Sequence, residues 1–458
     1  MAVWSIIKVS ELEGAKRLDA EYYRPEYFKL KHFLSKHPQL GQCVERIIHP
    51  VEIKRVYEEK GLNILLAQNI QHNFLEFSVN VFMPELVSGL IFRNKLIPND
   101  VVMTRSGANY GDSAPYFGEP VPLYACADDL VIRPKPDLPA GYLSTFFNTD
   151  AGRALIRRGG YGAGQPHVAP PFLKTLRFPR FSHEFEQNID GLVRSARNEI
   201  KQSESIYLQT EQILLDEIGW DKLDLSQSKW WTASLSRAQD VHRFDAEHFQ
   251  PKYDKLINHL EKTGKAKNLG DLAPFIKRGL QPYYVSDGEV IVVNSQHLGR
   301  YLLNIETTER TDRKFWDTNK RAHLRKDDVL LYSTGAYVGR TNAWFESKDG
   351  IASNHVTIIR PNASCNPLYL AVFLNSPPCL LQTEKWASGS GQREIYPDNI
   401  ARFLIYLPSE QFQQKVADLF QKSYQARQKA KTLLEKAKRA VEIAIEQGEK
   451  SALKFLKR

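Results

Sequence analysis

Two short stretches of this chain approach a catalytic loop, and neither completes one. An amino-methyltransferase holds its target amine on an Asx-Pro-Pro-aromatic loop, behind an apolar strand that ends in a Gly-rich cofactor turn. Asn366-Pro367-Leu368-Tyr369 lacks the second proline, and Ala169-Pro170-Pro171-Phe172 lacks the polar first residue that would accept the amine hydrogen bond. Gly162-Ala163-Gly164 follows no buried strand run, so a dinucleotide turn is not supported. There is no GxxxxGK(S/T) loop for nucleotide hydrolysis, and His183-Glu184 lacks the second histidine of H-E-x-x-H. The remaining histidines show no metal-ligand spacing, and Cys43, Cys126, Cys365 and Cys379 form no C-x-x-C pair. The expectation is a chain without catalytic residues, metal or cofactor of its own.

What the glycine-rich segments offer instead is backbone access. In Gly162-Ala163-Gly164-Gln165 and Gly389-Ser390-Gly391-Gln392, small residues let the main chain approach another surface. The glutamines can then make bidentate contacts with adenine, or cap the turn through backbone amides. The loops RSGANYGD, from Arg105, and STGAYVGR, from Ser333, set Arg, Ser, Thr, Asn and Tyr beside glycines, a mixture suited to phosphate and groove contact.

These segments come in pairs because the chain repeats itself. KRLDAEYYRPEYFKL at residues 16–30 returns as HRFDAEHFQPKYDKL at 242–256, identical at 8 of 15 positions and offset by 226. The Gly-Ala loops recur at an offset of 228, and Arg133-Pro134, Tyr142-Leu143 and the Gly-x-Gly-Gln stretches at 227. A period this long means duplication of a whole domain rather than a solenoid. Each copy runs from a DAE segment ending in a Pro (Pro25, Pro251), through short β-rich runs such as 100–103 and 328–331, to a long helix.

The helices read as heptads. Phe185, Ile189, Leu192, Ala196, Ile200, Ser203, Tyr207, Leu214 and Ile218 share one seam, and Phe412, Val416, Leu419, Ser423, Ala426, Ala430, Leu433, Ala437, Ala440 and Ala444 share another. Each helix could pack on its own domain, but two equivalent proline-free helices favour pairing with each other. At 1.5 Å per residue, about 30 residues give a rod of roughly 45 Å, a candidate ruler between two domains. The expected fold class is α/β (mixed α+β): two tandem domains, 1–182 and 220–409, separated by long antiparallel coiled-coil helices at 183–219 and 410–458, with a pseudo-twofold internal repeat.

Composition sets outer limits. With 62 Lys and Arg against 53 Asp and Glu, the 458-residue chain carries +9, an excess that favours polyanions or acidic partners. The cysteine pattern fits a reducing compartment. The segment MAVWSIIKVSELEGAKRLD turns charged before a signal-peptide core forms, and no run approaches 18 apolar residues, so a soluble cytoplasmic protein is expected.

The duplication, the Gly-x-Gly-Gln signature followed by Phe178-Pro179 or Leu407-Pro408, and the long helix after each resemble the specificity (S) subunit of type I restriction-modification systems, across essentially the whole chain. The resemblance implies two target recognition domains, spacer helices and no active site. It also implies an adaptor that binds double-stranded DNA and two methyltransferase (modification) subunits, with restriction motor subunits reached through them. S-adenosylmethionine is then expected on the partner methyltransferase. The family features map onto Gly162, Gly164, Gln165, Gly389, Gly391, Gln392 and the DAE segments at 19–21 and 245–247. The first copy departs from the pattern, with FSHEFEQ where the second has LPSEQFQQ, and so leaves the start of the central helix open.

The middle regions of the two copies diverge far more than their flanks, which on this reading means two different half-sites and a bipartite, asymmetric target. Arg105, Asn109, Tyr110, Arg157, Arg158 and His167 are the candidate DNA-binding residues of the first half. Tyr337, Arg340, Lys385 and Arg393 are those of the second. Two other classes remain open, a free-standing DNA adenine methyltransferase and a non-catalytic coiled-coil scaffold. Binding of S-adenosylmethionine would reveal the first, and a lack of salt-dependent DNA affinity the second.

Overall fold

The computed structural model describes residues 6–457 apart from 13–17, 19, 26, 28–29, 31–32, 78–80, 163–165, 227–228, 300–302, 306 and 390. Packing divides the chain into two units, one of residues 1–199 with 429–458 and one of residues 200–428.

Unit 1 is built on a four-stranded antiparallel sheet. Its strands are β1 (Val44–Ile48), β4 (Asp100–Thr104), β5 (Ser113–Tyr116) and β7 (Asp129–Pro134), in the order β1-β7-β4-β5. A second sheet sets β2 (Leu62–Leu65) antiparallel to β3 (Val81–Met83) and parallel to β6 (Leu123–Ala125). Unit 2 repeats both sheets. Strands β8 (Phe275–Arg278), β11 (Val329–Tyr332), β12 (Thr341–Ala343) and β14 (Val356–Arg360) order as β8-β14-β11-β12. There β9 (Val290–Val293) pairs antiparallel with β10 (Arg310–Thr311) and parallel with β13 (Gly350–Ala352). Unbroken runs such as Val290–Val293, buried at all four residues, are what strands covered on both faces require.

Three buried devices recur and hold each unit in the same register. Asp100 is fully buried and receives a two-pronged pair from Arg133 at 2.7 and 2.9 Å; Asp328 receives the same from Arg360 at 2.7 and 2.8 Å. A carboxylate there would be prohibitive unpaired, so the fork of arginine is obligatory. Helices α1 (Ala140–Asn148) and α5 (Pro367–Asn375) run through the two cores, and Tyr142 donates to Pro179 O at 2.6 Å as Tyr369 donates to Tyr406 O. The third device is the opening segment, which docks on the end of the helix after α1 or α5.

The long helices are α3 (His183–Ile218) and α7 (Glu410–Gln447). Within unit 2 they pair antiparallel: Ser203 and Ser423 hydroxyls meet at 3.1 Å, the Tyr207 and Phe420 rings at 6.3 Å, and Arg427 reaches Glu204 at 3.4 Å. Within unit 1 the pairing continues, with Lys429 on Glu199 at 2.5 Å and Ala437, Ala440 and Ala444 buried in the core that holds Phe185 and Ile189. Small residues on the α7 seam allow the close approach. The second helix does not run on to 458, the bound expected for the C-terminal spacer. It breaks at Gly448, whose φ of 87° favours glycine, and a short helix, α8 (Glu449–Leu456), folds Ala452 into the unit 1 core. No helix among the described residues is long and apolar enough to cross a membrane.

Candidate nucleic-acid interface

Each unit carries a polar surface made by two loops stitched together by backbone hydrogen bonds. The first follows β4 or β11. Its turn closes through Gly111 N to Thr104 O at 2.8 Å in unit 1, and through Gly339 N to Tyr332 O at 2.9 Å in unit 2. Both glycines have φ near +100°, and a Cβ on either would lie 2.9 Å from Ile156 Cγ2 or 3.0 Å from Thr383 Cγ2. Glycine is therefore doubly required, by conformation and by the helix packed against the turn. Those helices are α2 (Asp150–Arg158) and α6 (Pro377–Trp386).

The second loop contains the Gly-x-Gly-Gln stretch, and the residues flanking that stretch pair with each other. Tyr161 and His167 exchange backbone hydrogen bonds at 3.0 and 2.8 Å, and Ser388 and Glu394 do so at 2.8 Å each way. This second loop is sewn to the first by Gly107 N to Pro166 O and Val168 N to Arg105 O in unit 1, and by Gly335 N to Arg393 O and Ile395 N to Ser333 O in unit 2. Gly162 and Gly389 take φ values of 104° and 97°. Gly164 and Gln165 lie outside the described residues; a Cβ on Gly391 would meet open space and Gln392 is exposed.

On this shared frame the two halves place different side chains at equivalent positions. Position 112 is an aspartate, gripped by Arg153 and by His72 at 3.1 Å; its equivalent, Arg340, stacks on Tyr337 at 3.6 Å. Burial pushes the Asp112 carboxyl up, but the His72 and Arg153 hydrogen bonds outweigh it and hold the group below its usual range. Position 167 is a histidine, half-buried, with Nδ1 unpartnered among the described residues. Its equivalent, Glu394, accepts from Tyr396 at 2.7 Å, Arg278 at 2.5 Å and Thr334 at 3.3 Å, and those bonds lower its pKa.

The sequence candidates separate into two groups. Asn109, Arg157, Tyr337 and Arg393 are exposed, and Arg105, His167 and Arg340 are half-buried at the loops. Arg105 lies under the junction, its Nε without a partner among the described residues. Tyr110 packs inward, with its hydroxyl 3.5 Å from Arg157 O, and burial raises its pKa. Arg158 is buried and Lys385 half-buried, each held by contacts of its own. Arg158 donates to Tyr22 O at 3.0 Å and lies over the Tyr22 ring at 4.1 Å. Lys385 pairs with Asp254 at 3.5 Å, burial depressing its pKa against that partner, while its carbonyl accepts from Arg243 and contacts His248 Nδ1 at 2.7 Å. These two basic residues contact the opening segments.

Reading by loop motif also passes over residues 313–326 of unit 2, where six Lys or Arg stand against one Asp. That density was the available signal. Among the described residues no group of three or more His, Cys, Asp or Glu is placed to hold a metal ion.

Fold and loops together define a duplicated α/β protein in which each copy displays a glycine-built polar surface and leads into a long helix. No family model and no curated protein matches the chain. Among solved structures it is similar to the S subunit of a type I restriction-modification system from M. genitalium, at 11% identity and a TM-score of 0.38 over 92% of this chain and 95% of that one. It is also similar to the HsdS subunit from Thermoanaerobacter tengcongensis, at 14% identity and a TM-score of 0.28 over 91% and 95%. A third neighbour comes from work on complex assembly and conformational transition of the type I R-M system, at 12% identity and a TM-score of 0.27 over 92% and 96%. Two of these three neighbours are type I S subunits.

Proposed function

We propose that this chain is the DNA-specificity subunit of a type I restriction-modification complex. The observation that carries the reading is the duplication itself: one topology twice, with the same two-loop frame, yet Asp112 against Arg340 and His167 against Glu394 at equivalent positions. A frame kept while the side chains at its loops change is what two readers of different half-sites need. Phosphate contacts would give most of the affinity and the loop side chains the selectivity. Arg105, Asn109, Arg157, His167, Tyr337, Arg340 and Arg393 are the proposed DNA-facing residues. Catalysis would belong to two partner methyltransferase subunits carrying S-adenosylmethionine, with restriction motor subunits joining them in the cytoplasm.

The test is methylome sequencing of cells that express the chain with its cognate methyltransferase. The expected result is one bipartite, asymmetric methylated motif that vanishes when either protein is omitted. Methyl transfer by the highly purified chain alone would instead establish the free-standing methyltransferase.

A further inference from the structure

The segment that precedes β4 in unit 1 and β11 in unit 2 is the same structural piece with inverted surface chemistry. Its end is matched bond for bond: Leu96 N donates to Leu123 O and Leu324 N to Gly350 O, while Ile97 N and Arg325 N donate to the buried Asp100 and Asp328. The short 3-10 turns Phe92–Asn94 and Lys320–Ala322 fall at the same place. At an offset of 228, Leu86 corresponds to Lys314, Phe92 to Lys320, Arg93 to Arg321 and Ile97 to Arg325. In unit 1 the three apolar members are exposed, Leu86 at 93%. In unit 2 Lys314, Lys320, Arg321, Arg325 and Lys326 are all exposed. None of the five makes an ion pair among the described residues, whereas neighbouring Arg313 is committed to Asp349 at 2.7 Å.

This basic ridge is also stiff. Helix α4 (Arg313–Thr318) is capped by Asp312, which accepts from Phe315 N at 2.9 Å and from the Tyr283 hydroxyl at 2.6 Å. The Trp316 and His323 rings stack at 3.5 Å and 9°, and the His323 ring nitrogen lies 2.7 Å from Trp316 O, tying helix to turn. Lys314 lies near Asp312, but the other four have no acidic partner within ion-pair distance among the described residues, and a polyanion laid across the ridge would relieve their mutual repulsion. The four residues of β11, at about 3.3 Å each, separate the ridge from the loop at 333–340 by roughly 13 Å, on the order of a major-groove width of about 12 Å.

We propose that Lys314, Lys320, Arg321, Arg325 and Lys326 form a phosphate-backbone clamp for duplex DNA, present in unit 2 and without an equivalent in unit 1. This rests on the DNA-binding reading above and goes beyond it. The two halves contribute unequally, with the salt-dependent affinity concentrated in the second.

The test uses the full chain and a fluorescent random-sequence duplex, with affinity followed from 50 to 200 mM salt. Combining Lys320→Ala, Arg321→Ala, Arg325→Ala and Lys326→Ala should reduce the log–log salt slope by up to about 3.6, at about 0.9 per lost phosphate contact. The affinity lost across that salt range should shrink correspondingly, by up to about 100-fold. A charge-matched control, Lys262→Ala, Lys267→Ala, Lys415→Ala and Lys422→Ala, should leave the slope within about 0.5 of the parent, since general charge is screened beyond about 10 Å. Grafting Leu86→Lys, Phe92→Lys and Ile97→Arg onto unit 1 should steepen it. Equal slopes for the ridge variant and the control would overturn the clamp while leaving DNA binding intact, and would point to an acidic protein as the ridge's partner. A parent chain with no salt-dependent duplex affinity would overturn the DNA reading and the clamp together.

Discussion

Replacing Asp129 with valine should stabilise unit 1, and by an amount that grows with pH. Asp129 opens β7, is fully buried, and faces Thr104 across the sheet; its counterpart facing Tyr332 is Val356, also fully buried. The same strand position is thus filled by a carboxyl in one copy and an isopropyl group in the other. Burial pushes the Asp129 carboxyl up to about 8, the hydrogen bonds from Cys126 pulling it back only in part, and Oδ1 has no partner among the described residues. Its folded pKa therefore lies above the unfolded value of about 3.9, so folding is most favoured where both states are protonated. Stability should then fall as pH rises from about 4 towards 8. Between pH 5 and pH 8 the loss is about 3–4 kcal/mol, at 1.36 kcal/mol per pH unit. Valine removes that dependence and orphans little, because Cys126 N also donates to Leu65 O at 3.2 Å. Calorimetry of the full chain should show the unit 1 transition of Asp129→Val raised by roughly 5–15 °C at pH 8, and much less at pH 5. Six of the seven tryptophans fall at residues 220–386, so fluorescence identifies the unit 2 transition, which should not move. A shift of equal size at both pH values, or a loss of stability at pH 8, would refute the argument.

Arg157→Ala should flatten the salt dependence of DNA binding by up to about 0.9, whereas Arg158→Ala should leave the slope alone and speed proteolytic cleavage near Tyr22 and Tyr23. Binding titrations and limited proteolysis separate these outcomes. Exchanging residues 35–165 for the equivalent part of another specificity subunit should change one half of the methylated motif and spare the other, as motif sequencing would reveal; a change in both halves would mean that the units do not read independently. Ser203→Ala with Ser423→Ala removes both partners of a buried hydroxyl pair and should alter stability by less than about 1 kcal/mol, while Ser423→Leu, which overfills the seam, should cost about 1–3 kcal/mol in denaturant melts.

The sequence by itself determined the duplication, the long helices and their seams. Of the positions read as heptad seam, Phe185, Ile189, Ala196, Ile200, Ser203, Tyr207, Leu214 and Ile218 are buried in α3, as are Val416, Ser423, Ala426, Ala430, Ala437, Ala440 and Ala444 in α7. This was legible because helix periodicity is local and a repeated pattern of turns and apolar runs must repeat its topology. The glycine loops were legible for the same reason, since Gly111 and Gly339 meet a requirement within their own turns. Tertiary structure alone decided which basic residues remain available. Arg157 and Arg158 are adjacent, yet the second is covered by a carbonyl 136 residues away, and Lys385 is drawn to an aspartate at a separation of 131. It likewise decided that the exposed cations of residues 313–326 stand on one rigid piece. Whether a charge meets solvent or a partner depends on which distant segment packs over it, and nothing in the neighbouring residues encodes that.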